Sequence, residues 1–214
     1  MPASSVFLAA AALSVGLQLR AEYRGPRWQV YLFKPSTTAL LLLLAVLSTS
    51  AHGARYQQAV VAGLACSLVG DVLLMLPRDR FVAGLASFLL AHVAYIVAFS
   101  AGAPLGTAPA LLVPLAAMAA LLLWLLWPGL GKLRLPVVLY AATILLMVWQ
   151  AWGWHRTLGT PGSRLAALGA TLFMASDAVL ALNRFRRPFR SAQAVIMLAY
   201  VAAQALIALS VGTD

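Results

Sequence analysis

The chain has 214 residues, of which 63% are hydrophobic and 9% are charged, and its formal net charge is +10 at pH 7. Its mean hydropathy is +0.93, and a water-soluble globule could not cover so much apolar surface. The composition therefore excludes a soluble fold and indicates an integral membrane protein. The basic excess does not indicate nucleic-acid binding, because the lysines and arginines lie in short stretches between apolar runs.

Eight apolar runs, bounded by charged residues, proline or glycine, are suited to membrane-spanning helices. They predict helices near residues 4–19, 35–50, 57–76, 81–100, 108–127, 135–152, 164–183 and 190–211. Because each span takes roughly 20 residues, the chain has no room for a soluble domain. The predicted fold is all-α, with residues 1–214 forming a single polytopic membrane domain.

The basic residues predict the orientation of these helices. Alternate loops assign Arg20, Arg24, Arg27, Lys34, Arg78, Arg80, Lys132, Arg134, Arg184, Arg186, Arg187 and Arg190 to one side, and Arg55, Arg156 and Arg164 to the other. Since cytoplasmic loops carry the excess of lysine and arginine, we expect the larger group on the cytoplasmic side. Both termini would then lie on the non-cytoplasmic side, with a bacterial inner membrane as the expected location.

Two carboxylates are the candidates for catalysis. Only Asp71 and Asp177, of the five acidic residues, lie inside long apolar runs, where a carboxylate is costly and usually functional. Each comes six or seven residues before a basic loop, so both should lie at one depth, roughly 10 Å from the cytoplasmic boundary. Two nearby carboxylates cannot easily both ionise, so we expect the pair to share one proton and to act as an acid beside a base.

The two aspartates also suggest an internal repeat. Asp71 begins Asp-Val-Leu-Leu-Met-Leu and Asp177 begins Asp-Ala-Val-Leu-Ala-Leu, nearly half a chain apart. Each is followed by a basic loop and another helix, which carries His92 in the first case and Tyr200 in the second. We therefore interpret the fold as two parallel four-helix repeats related by an axis along the membrane normal.

Five further polar residues are candidates for substrate binding or support of the aspartates. They are Lys34, predicted at the start of the second helix, together with His92, Tyr140, Tyr200 and Gln204. Each has a structural alternative: an interfacial anchor for Lys34, a hydrogen-bonded structural residue for His92 and ordinary packing for the tyrosines. We expect neither a cofactor nor a metal, since Cys66 is the single cysteine and the chain has no zinc-ligand set.

The chain resembles the YhhN family of bacterial membrane proteins, which includes the vertebrate lysoplasmalogenases. The resemblance is carried by Tyr31-Leu-Phe-Lys34-Pro35, Ser67-Leu-Val-Gly70-Asp71, Gly84-Leu-Ala-Ser-Phe88, Ala91-His92-Val-Ala-Tyr95, Phe173-Met-Ala-Ser176-Asp177, and Tyr200 with Gln204. It implies hydrolysis of the vinyl ether bond of a lysoplasmalogen, with Asp71 and Asp177 as the catalytic pair. It also implies a lysophospholipid substrate whose phosphate would meet Lys34 and either Arg78 or Arg184.

Two other hypotheses use the same residues. In a proton-coupled transporter or lipid translocator, the aspartates would take up and release protons as access alternates. In a structural or partner-binding membrane protein, they would only fix the register of the helices by hydrogen bonding.

Overall fold

A computed structural model of the chain describes residues 2–76 and 80–214, with the side chains from residue 4 onward. The described residues form eight α-helices and two short 3₁₀ turns, and none of them lies in a β-strand. The helices are α1 (Pro2–Arg24), α2 (Arg27–Leu47), α3 (Ala54–Met75), α4 (Phe81–Phe99), α5 (Pro109–Leu126), α6 (Arg134–Leu158), α7 (Pro161–Phe185) and α8 (Ala192–Ser210). The 3₁₀ turns, Trp127–Gly129 and Gly131–Leu133, join α5 to α6.

All eight helices are long and apolar enough to cross a membrane. This confirms the predicted fold class of an all-α polytopic membrane protein. The physical reason is that hydrocarbon offers no hydrogen-bond partners, so an apolar segment must satisfy its backbone groups internally, as a helix does.

Five helices, α1, α2, α3, α6 and α7, are longer than predicted. The α1 helix continues to Arg24, and α6 continues to Leu158, past the charged residues at which the prediction ended them. The α2 helix begins at Arg27 rather than at Pro35, so Pro35 lies inside it. A membrane helix can extend beyond the hydrocarbon because long basic side chains reach the polar interface, and an internal proline is tolerated in membrane helices.

The packing of the helices follows the predicted repeat. The α3–α4 and α7–α8 pairs have the most extensive contacts, and α2 packs on α3 as α6 packs on α7. Contacts between the halves match as well: α2 packs on α8, and its counterpart α6 packs on α4. Exchanging each helix with the one four positions along reproduces these contacts, but α1 packs on α2 far more extensively than α5 packs on α6, and α1 also contacts α8.

The contact between α3 and α4 is close because small residues line it. A Cβ atom added at Gly70 would lie 2.7 Å from the Phe88 ring, and one added at Gly84 would lie 2.6 Å from Leu74. Real Cβ atoms do not approach so closely, so a side chain at either position would require Phe88 or Leu74 to shift. The helix that carries Asp71 is thereby held firmly against its neighbour.

Aromatic side chains fill the end of the bundle where α3 begins and α6 ends. Tyr56 and Trp154 are fully buried and stack with their ring centroids 4.8 Å apart, and Phe99 stacks on Trp154 at 6.0 Å. This end is therefore densely packed. The polar cavity described below lies in the opposite half of the bundle, where α3 and α7 end.

Candidate active site

Asp71, near the end of α3, is buried and bound by side chains from two other helices. It is 2% exposed. Its Oδ2 atom accepts hydrogen bonds from the hydroxyls of Thr38 on α2, at 2.6 Å, and Tyr200 on α8, at 2.7 Å. The Nζ atom of Lys34 lies 3.6 Å from Oδ1. This carboxylate therefore has one cation and two hydroxyl donors, which together favour its ionised form.

Lys34 is a buried partner of Asp71 and not an interfacial anchor. Because α2 begins at Arg27, Lys34 lies within the helix, one turn before Thr38 and on the same face. Its side chain is 9% exposed. The prediction that Lys34 lies at the start of the helix is wrong, since Pro35 does not begin the helix.

Asp177, on α7, has different partners. The Tyr140 hydroxyl on α6 donates a hydrogen bond to Oδ2 at 2.5 Å, and Nε2 of His92 on α4 lies 3.6 Å from the same oxygen. The His92 ring packs edge-on against Tyr140 and Phe173. Neither of its nitrogens has a hydrogen-bond partner among the described residues. Asp177 is thus bound by one hydroxyl and faced by an imidazole.

The surroundings of the two aspartates are related by the repeat. Asp71 and Asp177 are 106 residues apart, and so are Lys34 and Tyr140, which contact them. Tyr200 of α8 contacts Asp71, and His92, at the equivalent place on α4, faces Asp177. Each carboxylate is therefore contacted from a corresponding pair of helices, but the contacting groups differ. Asp71 has the Lys34 ammonium and the Tyr200 hydroxyl, whereas Asp177 has the Tyr140 hydroxyl and the His92 imidazole.

Both carboxylates border one polar cavity of about 430 Å³. Its lining includes, besides the two aspartates, the polar residues Lys34, Arg80, Ser176, Asn183, Arg184, Gln193 and Tyr200. The common depth predicted for the aspartates agrees with this arrangement. No hydrogen bond joins the two carboxylates among the described residues, and each accepts hydrogen bonds from its own neighbours, so the sharing of one proton stays a prediction.

The remaining predicted residues differ in how close they come to the cavity. Gln204 is fully buried, and its Oε1 accepts a hydrogen bond from Tyr95 at 2.6 Å. It does not line the polar cavity, so it supports the packing around Tyr200 rather than the aspartates themselves. Arg78 and the loop residue Asp79, which we interpret as solvated, lie outside the described residues.

Sequence reasoning missed three polar residues of the cavity lining: Arg80, Asn183 and Gln193. Thr38 binds Asp71 but does not line the cavity, and it is four residues after Lys34 and therefore on the same helix face. Within residues 2–76 and 80–214, no group of three or more histidine, cysteine, aspartate or glutamate side chains could hold a metal ion.

The family model described as the YhhN family matches residues 29–211. The chain belongs to the YhhN family. The match runs from within α2 to the end of α8 and includes every residue of the site described above.

Similar proteins carry two kinds of name. "Uncharacterized membrane protein YhhN" of Escherichia coli O6:H1 is 36% identical over 198 residues, covering 92% of this chain and 94% of that protein. "Lysoplasmalogenase TMEM86B" of Sus scrofa is 39% identical over 190 residues, covering 87% and 76%. "Lysoplasmalogenase" of Mycobacterium tuberculosis is 34% identical over 184 residues, covering 82% and 67%. No solved structure matches the chain.

Proposed function

We propose that this YhhN-family protein is a lysoplasmalogenase-type hydrolase, which cleaves the vinyl ether bond of a 1-alkenyl lysophospholipid to a fatty aldehyde and a glycerophospho-alcohol. The relatives named lysoplasmalogenase support the bond type. The observation that carries the mechanism is the different environment of the two carboxylates: Lys34 pairs with Asp71 at 3.6 Å, and no lysine or arginine of the described residues reaches Asp177 within salt-bridge distance.

This difference assigns the roles of acid and base. A carboxyl group in largely apolar surroundings without a cation is favoured in its neutral, protonated form, so we assign Asp177, whose side chain is 14% exposed, as the proton donor. Asp71, with its cation and two hydroxyl donors, is the carboxylate that stabilises positive charge and accepts a proton from water.

The reaction then proceeds in balanced proton transfers. Asp177 gives its proton to the alkenyl carbon, and the electron pair of the double bond forms the new C–H bond, which leaves an oxocarbenium ion. Water adds to this ion and loses a proton to Asp71. In the collapse of the hemiacetal, its hydroxyl proton returns to Asp177 and Asp71 protonates the leaving glycerol oxygen. Both residues thereby regain their starting protonation states.

The polar cavity also suits a phosphate head group. Arg80 and Arg184 line it together with Lys34, and Arg184 lies over the Phe81 ring at 5.0 Å. Arginine is well suited to phosphate because its planar fork donates two parallel hydrogen bonds. We assign the phosphate to the arginine-bearing side of the cavity and the vinyl ether to the side formed by the aspartates.

The decisive experiment is aldehyde release from 1-alkenyl lysophosphoethanolamine by the purified protein in detergent. Asp71→Asn and Asp177→Asn should each lower the rate by about 10²- to 10⁴-fold, the usual contribution of general acid or base catalysis. Glu22→Gln is the matched control, because Glu22 is an exposed carboxylate on α1 and should leave the rate unchanged. Equal rates in wild type and both aspartate variants would contradict the proposal.

A proton-coupled transporter is the alternative, and the related surroundings of the two aspartates favour it. Binding sites at the interface of two structural repeats are typical of secondary transporters. Such a protein would move lipid across a vesicle membrane only with a proton gradient. The hydrolase should instead turn over its substrate in detergent, where no gradient exists.

We also propose that both termini lie on the non-cytoplasmic side of a bacterial inner membrane, as the basic loops indicate. Cys66 is the single cysteine, so a Cys66→Ala background permits labelling at chosen positions. Ala51→Cys should react with a membrane-impermeant maleimide added to intact cells. Arg187→Cys should react only after the membrane is made permeable, and the reverse pattern would overturn this orientation.

A further inference from the structure

A second cavity lies beside the polar one and is almost entirely apolar. It has a volume of about 390 Å³, within the usual range of ligand pockets, and lies between α4, α5, α6 and α7. Its walls include Leu85, Met118, Leu122, Leu145 and Met174. Among the residues that line it, the polar ones are Tyr140, Thr171 and Asp177.

The two cavities meet at the proposed proton donor. Leu74, Phe81, Phe88, Asp177 and Leu180 line both of them. A ligand that occupied both cavities would therefore pass Asp177 at the point where the cavity lining changes from polar to apolar. A lysophospholipid changes from polar to apolar at the bond between glycerol and chain, which in a lysoplasmalogen is the vinyl ether.

The apolar cavity is bordered by the most loosely packed helix of the bundle. Leu126 is the only buried residue of α5, which packs mainly on α6. By contrast, α4, which also borders the cavity, has eight buried residues. A wall with few internal contacts separates easily from its neighbours, so α5 provides the side from which a hydrocarbon chain can enter from the bilayer.

We infer that the apolar cavity between α4, α5, α6 and α7 is the binding site for the hydrocarbon chain of the substrate and sets the chain length that the protein prefers. The inference rests on the proposed function for the identity of the ligand. The occupant is a single alkenyl chain, because the cavity is apolar except at Tyr140, Thr171 and Asp177, and Asp177 is the group that would act on the first carbons of that chain. Each methylene that the cavity accommodates adds packing contacts with its walls, so affinity should rise with chain length until the cavity is filled.

Neighbouring alanines on α6 permit a matched test. Ala141 lines the apolar cavity, and Ala142 is exposed and lines neither cavity. Ala141→Phe should fill part of the chain site, and Ala142→Phe adds the same bulk away from it. Leu122→Trp fills the same cavity from α5, so a folding defect of one variant would not decide the result.

The first measurement is the binding of 1-O-alkyl lysophosphoethanolamines with butyl or hexadecyl chains, by native mass spectrometry. These saturated ethers lack the double bond that the proposed acid protonates, so binding is measured without turnover. Ala141→Phe and Leu122→Trp should weaken binding of the hexadecyl compound about tenfold, which corresponds to ~1.4 kcal/mol, with little effect on the butyl compound. Ala142→Phe should bind both compounds as wild type does.

The second measurement, aldehyde release from 1-alkenyl lysolipids of the same chain lengths, separates this inference from the proposed function. If wild type releases no aldehyde but the binding pattern is as expected, the hydrolase proposal fails and the chain site stands. If wild type releases aldehyde but both cavity variants keep the wild-type ratio between long and short chains, the chain site is overturned and the hydrolase stands.

Discussion

The Nζ atom of Lys34 on α2 lies 3.6 Å from the Asp71 carboxylate on α3, and both side chains are buried. A buried ion pair has a high desolvation cost, so its presence beside a cavity indicates a function rather than a gain in stability. The equivalent position in the other half of the chain is Tyr140, which cannot neutralise Asp177. The exchange of a lysine for a tyrosine is thus what makes two related sites chemically different.

Removing the charge of Lys34 should destabilise the protein more than removing the whole pair. Lys34→Met leaves the Asp71 carboxylate buried without its cation, and breaking a buried pair in this way costs about 3–5 kcal/mol. The double variant Lys34→Met with Asp71→Asn carries no unpaired charge and should recover much of that loss. The interaction free energy of the two side chains is obtained from thermal unfolding in detergent of four proteins: wild type, the two single variants and the double variant. Additive effects would contradict a direct interaction.

The hydroxyl of Tyr140 should matter for the rate and little for folding. Tyr140→Phe keeps the ring beside His92 but removes the hydrogen bond to Asp177, which should lower kcat about tenfold if the bond contributes ~1.4 kcal/mol in the transition state. Tyr95→Phe is the matched control. It also deletes a buried hydrogen bond, to Gln204, but one that involves neither carboxylate, so it should lower the melting temperature and leave kcat nearly unchanged. Equal kcat losses would remove Tyr140 from the mechanism.

His92 should limit stability and support activity. Both ring nitrogens are buried and have no hydrogen-bond partner within residues 2–76 and 80–214, and such groups cost about 1–3 kcal/mol each. His92→Phe keeps the edge-on contacts with Tyr140 and Phe173, so the variant should be at least as stable as wild type. Its rate of aldehyde release should nevertheless fall, because the imidazole lies beside Asp177. A variant that loses stability but keeps its full rate would assign His92 to packing alone.

The sequence predicts the fold and the two carboxylates well because both depend on local composition. Long apolar runs specify membrane helices, and an aspartate inside such a run is conspicuous whatever its surroundings. The partners of Asp71 are harder to predict, because they depend on where α2 begins. With Pro35 interpreted as the start of the helix, Lys34 belongs to a loop, but with Arg27 as the start it faces Asp71.

The sequence also does not determine whether the two aspartate side chains point toward one another. Depth along a helix places both residues at one level, but the direction in which each side chain points depends on how the helices rotate and pack. In the structure, Thr38 and Tyr200 bind Asp71, and Tyr140 binds Asp177, so each carboxylate is satisfied by its own neighbours. The expectation of a shared proton assumes that each carboxylate has the other as its main hydrogen-bond partner.

The contact between α3 and α4 should not tolerate a side chain at Gly70. The Cβ of Gly70→Ala would meet the Phe88 ring at 2.7 Å, and the residue directly precedes Asp71. We expect overpacking to cost about 1–3 kcal/mol and to lower activity by displacing the carboxylate. Gly16→Ala on α1 is the control. A Cβ there meets no atom within 4 Å, so the change should be neutral or slightly stabilising through helix propensity. A neutral Gly70→Ala would contradict the close contact.

His52, in the turn between α2 and α3, should make the stability of the protein depend on pH. Burial against Tyr56 and Trp154 lowers the pKa of His52 below its ordinary value of 6.5, although the Thr213 backbone and the Asp214 carboxylate act in the opposite direction. The folded state therefore holds His52 neutral where the unfolded chain would already bind a proton. Stability is complete above the unfolded pKa and falls as the pH decreases toward the lowered folded value.

Melting temperatures of wild type and His52→Phe, measured between about pH 7 and pH 5, test this dependence. The phenylalanine keeps the edge contacts with Tyr56 and Trp154 but cannot be protonated, so its melting temperature should decrease less than that of wild type over this interval. Asp214→Asn removes a negative charge that supports the protonated imidazole, and it should therefore increase the loss in acid. If wild type and His52→Phe lose stability equally, the protons are taken up elsewhere and His52 is not the responsible group.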